Sequence, residues 1–196
     1  MRKLLLGSFA LLLLTTACNN NKKPGDVTIK GKDGESVTIN TNDASKNVEE
    51  MKNSMEELQK LKPLSLEELK ALIPAEIMGA KQDDYNAVNY AGYGQASASY
   101  KINDSTKIKL NVIDCAGNAG AGFYNMQFLM NFEQDNENEY TKSTTFNDQK
   151  AIENCKKKRK ECSFTYFSGN RFLVALEGDN VGIDQLKDVA KGLNIK

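Results

Sequence analysis

The alternation of apolar and polar positions divides the chain into recognisable segments. Val27-Thr-Ile-Lys and Val37-Thr-Ile-Asn alternate with period two and are parted by Lys32-Asp-Gly34. An Asp-Gly pair supplies the positive φ angles of a tight turn, so this stretch predicts a two-stranded hairpin. Next, Val48, Met51, Met55, Leu58 and Leu61 recur every three or four residues in a Glu/Lys-rich background. That spacing predicts one apolar stripe on a helix, which Pro63 ends. The stripe either docks on the chain's own domain or forms a short heptad seam with a second copy. Ser65-Leu-Glu-Glu68 carries the residues of a capping box, opening a second helix through Ile73 before Pro74.

From Tyr90 onward the pattern favours strands. Residues 93–100 and 107–113 alternate and are separated by Asn103-Asp-Ser-Thr, which predicts an antiparallel pair. Gly117 to Gly122 reads as a glycine-rich loop leading into a buried helix over 123–132. The acidic, amide-rich stretch 133–139 reads as an exposed connection. Four short strands follow over 140–146, 149–155, 162–168 and 171–177, with Ser168-Gly-Asn170 as the last tight reversal. A terminal helix from Asp184 buries Leu186, Val189, Ala190 and Leu193. Strands dominate and the helices are grouped. The expected class is α+β, an antiparallel sheet flanked by helices and preceded by a small β-hairpin and a helical segment.

The beginning of the chain follows another logic. Arg2 and Lys3 precede an apolar run from Leu4 to Leu14, and Ala17 precedes Cys18. The run is too short for a spanning helix, which needs roughly 20 apolar residues. A charged start, a short apolar stretch and a small residue before the cut are the parts of a secretory signal. With a cysteine after the small residue, the stretch resembles a bacterial lipoprotein signal. That resemblance implies a lipid (diacylglycerol, palmitate) on Cys18 and a membrane anchor. The expected organisation is a signal peptide over 1–17, a tether over 18–26, the hairpin and helical segment over 27–74, and the sheet domain over 75–196. No acidic residue follows Cys18 directly, which resembles sorting to the cell outer membrane, facing the periplasm.

Composition narrows the function classes. The chain has 26 basic and 26 acidic residues and no histidine or tryptophan. Losing Arg2 and Lys3 with the signal leaves the remainder slightly acidic, which argues against a general nucleic-acid partner. Without histidine there is no His general base, no Ser-His or Cys-His nucleophile pair and no His-ligated metal. The expectation is a non-enzymatic protein with no cofactor and no metal.

Three further cysteines remain. Cys155 and Cys162 flank Lys156, Lys157, Lys158, Arg159, Lys160 and Glu161. Six intervening residues let two antiparallel strands bring the thiols together, as a structural disulfide or a redox pair. Cys115 is left over as a small buried hydrophobe or an intermolecular partner. The run 156–160 is either a solvated loop tip or a contact for an anionic lipid or glycan. Gly117, Gly120 and Gly122 invite a phosphate-binding reading, but their spacing fits neither dinucleotide nor P-loop fingerprints. Asp83, Asp84 and the stretch 133–139 lack the ligand spacing of a Ca²⁺ loop. Tyr85, Tyr90, Tyr93 and Tyr100 line a sugar-stacking face or pack in the core.

Leu72-Ile-Pro-Ala-Glu-Ile-Met-Gly79, the strand pair after Tyr90 and Gly169-Asn-Arg-Phe-Leu-Val-Ala-Leu-Glu-Gly178 resemble uncharacterised Bacteroidetes lipoproteins. The element order over 75–194 is similar to PsbP-like α/β/α sandwich domains. These resemblances imply a lipid-anchored envelope protein and bring no catalytic residues. The functional expectation is binding or scaffolding in the periplasm, with an envelope protein or anionic lipid or glycan as partner. The alternative is a carrier of a hydrophobic or glycan ligand, marked by an apolar pocket between the sheet and the helix over 123–132.

Overall fold

The computed structural model describes residues 26–30, 36–90, 92–128 and 133–196. The expected signal with Cys18, the 32–34 turn and the end of the expected 123–132 helix lie outside the described residues. The chain divides between Ser45 and Lys46 into two compact units. In the first, β1 (Asp26–Lys30) and β2 (Ser36–Asn40) pair antiparallel, with Asp26 opposite Asn40 and Lys30 opposite Ser36. Helix α1 (Thr41–Lys60) runs through the division.

The second unit is built on one open antiparallel sheet of nine strands. Helix α2 (Leu66–Ala71) precedes β3 (Glu76–Ile77), β4 (Ala80–Tyr90), β5 (Tyr93–Lys101) and β6 (Lys107–Asp114). Then come α3 (Gly117–Phe128), β7 (Glu133–Asp135), β8 (Glu139–Phe146), β9 (Gln149–Lys156), β10 (Glu161–Ser168), β11 (Phe172–Asp179) and α4 (Ile183–Gly192). The sheet order is β3-β4-β5-β6-β11-β10-β9-β8-β7, so β11 inserts beside β6 and joins two meanders. The capping box forms as expected. Ser65 Oγ accepts from Glu68 N, and Glu68 Oε2 accepts from Ser65 N at 2.8 Å.

Strand alternation sends one residue in two to a common core. Tyr100, Ile108, Leu110, Val112, Phe164, Tyr166, Val174 and Leu176 fill one face, where Leu186 and Ala190 of α4 join them. The register places Tyr100 opposite Ile108, Val174 opposite Val112 and Tyr166 opposite Val174, so these side chains share that face. On the other face a smaller cluster gathers Leu58 of α1, Cys115, Ala121 of α3, Phe167 and Leu173. Leu58 thus docks on the chain's own sheet, while Leu61 of the expected stripe is exposed.

Two expectations need correction, and the sheet gains a strand that the pattern does not predict. Residues 117–122 are the first half of α3, not a loop. Glycine there is a matter of close approach, because a Cβ on Gly120 would lie 2.6 Å from Asp114 O and 2.7 Å from Cys115 C. Residues 80–90 form the eleven-residue strand β4. Their Asn, Asp and Gln content hides the strand, but the outer edge of β5 needs backbone partners beside buried Ala96 and Ala98. Within 133–139, Glu133–Asp135 pair with Tyr140–Lys142 as β7, which shortens the exposed edge of β8. Among the described residues the sheet therefore has nine strands rather than six and outweighs the four helices.

Candidate functional site

A groove of about 680 Å³ opens between the α2–β3 segment and α4. Its position follows from local rules. Pro74 ends the α2 segment, and Ile77 and Ala80 pair across a two-residue turn in which Met78 (φ 51°) and Gly79 (φ 77°) are both left-handed. Such a turn suits the twist of a hairpin and carries the chain back into β4. The carbonyl of Pro74 accepts from the Tyr100 hydroxyl at 2.7 Å, fixing this segment to the sheet. Burial also pushes the Tyr100 hydroxyl up to about 12.

The opposite wall is α4. Leu186 and Ala190 are buried, whereas Val189 and Leu193 are half-buried and line the groove. The apolar stripe read from the sequence is thus wider than the core can absorb, and its margin becomes a wall. Leu72, Ile77 and Met78 face them from the other side, with Ile195 also lining the space. Met78 is 47% exposed at the margin, an unusual place for a long apolar side chain with positive φ. The polar lining comes from Glu76, Gln185, Asp188 and Asn194. The groove has room for an apolar group with polar side chains beside it, and its volume falls within the range of small-molecule sites.

The groove is not where the carrier reading expects it. That reading looks to α3, on the other face of the sheet, where Phe123 stacks on Tyr93 with centroids 4.8 Å apart and Tyr124 tilts onto Phe167 at 4.7 Å. Nothing in the hydrophobic periodicity joins Leu72 to Val189. The missed signal is the Ile-Met-Gly turn, where a bulky residue takes a turn position.

A second polar constellation lies on the core face beyond α4. Glu153 of β9 is 2% exposed, and its oxygens lie 2.5 Å from Lys187 Nζ and 3.5 Å from Lys142 Nζ. Two ammonium groups match one buried carboxylate, the pairing a buried charge requires. Burial, reinforced by Glu153, raises the Tyr140 hydroxyl above its ordinary range. These contacts tie α4 to β8 and β9.

The sequence-derived residues separate in space. Cys155 and Cys162 are register partners on β9 and β10, with sulfurs 2.11 Å apart. At the β9–β10 turn Lys156 pairs with Glu161 at 2.8 Å, and Lys157 pairs with Asp135 while donating to Asn136 O at 2.7 Å. The acidic β7–β8 turn thus offsets part of the basic run, leaving Lys158, Arg159 and Lys160 exposed. Tyr85 and Tyr100 lie on the core face. Tyr90 and Tyr93 share the opposite face, so the four tyrosines do not line one surface. Asp83 and Asp84 are exposed at the irregularity of β4. Cys115 is buried and free, and burial pushes its thiol up to about 12. Among the described residues, no three His, Cys, Asp or Glu side chains converge as metal ligands, and no helix is long and apolar enough to cross a membrane.

Comparison with protein-family models, with curated proteins and with solved structures gives no match.

Proposed function

We propose that the chain is a lipid-anchored binding protein of the cell envelope, held by Cys18 and carrying an apolar ligand in the α2–α4 groove. The groove is the observation that carries this reading. An apolar trough with a few polar groups at its margin is the usual form of a small-molecule site. The residues around Cys18 support the anchor, and an outer-membrane location facing the periplasm follows from the residues after it. The resemblance to Bacteroidetes lipoproteins belongs to the same proposal. So does the α+β arrangement, in which α2 and α4 flank the core face and leave a gap between them. Binding rather than catalysis accords with a chain that has no histidine.

The test has two arms. Cells expressing the wild type incorporate labelled palmitate into this chain, and Cys18→Ala abolishes the label. Protein isolated from those membranes releases a bound apolar compound on denaturation, detected by mass spectrometry. Absence of label from the wild type removes the anchor. Absence of any bound compound, with no binding of added amphiphiles, removes the carrier role.

A further inference from the structure

We propose that the open edge of β4 pairs with the same strand of a second copy, antiparallel and with the two-fold axis at Ala87, so that one sheet runs through both copies. The proposal is independent of the groove and its ligand. It starts from the sheet order. β3 covers β4 only at Ala80 and Lys81, and Gln82 N donates to Ala75 O at 3.0 Å. From Asp84 to Tyr90, β4 pairs with β5 on one side, and among the described residues no other hydrogen bond reaches its backbone. The run therefore presents its outward N–H and C=O groups to an added strand.

The side chains favour such a strand over water. An open edge is normally blunted by short length, charge, proline or a bulge. At the far end of the sheet β7 follows that rule, with three exposed residues of which two are acidic. On β4 the irregularity between Gln82 and Asp84, with Asp83 and Asp84 beside it, protects one end only. Tyr85-Asn-Ala-Val-Asn-Tyr90 has neither charge nor proline. Tyr85 is 50%, Val88 36% and Tyr90 78% exposed. Among the described residues the other exposed large hydrophobic side chains are Leu61, Leu66 and Met78, so all six fall between positions 61 and 90.

The same strand identifies the partner as a second copy, because it is complementary to itself. Its acids stand at one end and its neutral residues at the other, so antiparallel pairing sets the acidic end of each strand against the neutral end of its mate. The longest overlap of the regular run 84–90 centres on Ala87. Asp84 then lies opposite the partner's Tyr90, Tyr85 opposite the partner's Asn89, and Asn86 opposite the partner's Val88. Opposed residues share a sheet face, so the two core faces point the same way. On the other face the two Val88 side chains become diagonal neighbours. An in-register parallel pairing would instead set Asp83 and Asp84 against their own copies, which like charge disfavours.

The experiment uses the full chain in membranes, oxidised mildly and resolved on non-reducing gels with the wild type as background. Opposed residues of antiparallel strands have Cα atoms about 4.5–5.5 Å apart, within reach of a disulfide. Ala87→Cys, and separately the pair Asn86→Cys with Val88→Cys, are expected to give a covalent product of twice the chain mass. Tyr90→Cys places a thiol at the most exposed position of the strand yet about 20 Å from its mate, and is expected to give about a tenth as much product or less. Val88→Lys, at an exposed position, is expected to raise the dimer dissociation constant about tenfold or more in detergent solution, with an unchanged circular dichroism spectrum. Equal products from Tyr90→Cys and Ala87→Cys would mean random collision and overturn the proposal. A product joining position 87 to a different protein overturns it as well, making the edge a site for another partner. A monomeric wild type that gives no product at either designed site also overturns it.

Discussion

Asp114 and Arg171 form a partly buried two-point ion pair, with Arg171 Nε 2.8 Å from Oδ1 and Nη2 3.0 Å from Oδ2. Asp114, at the end of β6, is fully buried and also accepts from Leu64 N at 2.8 Å and Ala116 N at 3.1 Å. Arg171 in turn donates to Lys62 O at 2.8 Å. One carboxylate therefore joins the segment between α1 and α2 to the β10–β11 turn and to the start of α3. The Gly169-Asn-Arg-Phe stretch, notable in the sequence as a strand pattern, owes its arginine to this junction.

Removing Asp114 leaves Arg171 partly rehydrated but strands the backbone donors of Leu64 and Ala116. Asp114→Ala is expected to destabilise the fold by about 2–4 kcal/mol. Urea unfolding followed by circular dichroism reads the change, and a loss below about 1 kcal/mol would show that the junction relaxes around water instead.

Glycine substitutions in α3 separate a helix from a phosphate-binding loop. Ala at position 120 would press its Cβ on the backbone of Asp114 and Cys115, so Gly120→Ala is expected to destabilise by about 1–3 kcal/mol. Position 122 has no neighbour within 4 Å of such a Cβ. Gly122→Ala is therefore expected to stabilise by about 0.5–1 kcal/mol through helix propensity alone. Opposite signs in thermal melts support the packed helix, and equal losses at both positions speak against it.

The Cys155–Cys162 bond spans a sequence separation of 7. Closing so short a loop contributes about 2–3 kcal/mol in the chain-entropy account. Reduction, or the double change to serine, is expected to lower stability by that amount without altering the far-ultraviolet spectrum. Maleimide mass tagging before and after reduction checks the pairing, with a gain of two reactive thiols as the expected result.

Stability is expected to fall in alkali. The Cys115 thiol is raised by burial from its ordinary 9.0 to about 12. Between those values the unfolded chain has lost a proton that the folded chain keeps, so stability is full below about pH 9 and declines above it. The raised Tyr100 hydroxyl, ordinary value 10.0, adds to the decline at higher pH. Urea midpoints at about pH 8 and pH 10.5 measure the loss, and Cys115→Ala is expected to reduce it. An unchanged loss in that variant would assign the decline to other groups.

The strands over 93–100, 107–113 and the four C-terminal segments were legible because their apolar residues alternate strongly. The capping box of α2 was legible for a similar reason, since Ser65 and Glu68 interact within one turn. β4 was not. Its eleven residues include Asp83, Asp84, Asn86 and Asn89, and its pairing with β5 shifts register between Gln82 and Asp84. Beyond Lys81, where β3 ends, β4 is held by the backbone of β5 alone, which leaves no periodic trace in its own side chains. The glycine run of α3 misled in the opposite direction, because its small residues answer to backbone packed beneath the helix.

By itself the sequence determined the alternating strands, the capping box of α2 and the spacing that lets Cys155 and Cys162 meet. Each depends on residues close along the chain, where spacing maps directly onto geometry. Tertiary structure alone decided that β11 inserts beside β6, that Asp114 meets Arg171, and that Leu72 and Met78 face Val189 and Leu193 across a groove. Those meetings join residues more than fifty positions apart. They arise from the order in which strands enter one sheet, and no local period records that order.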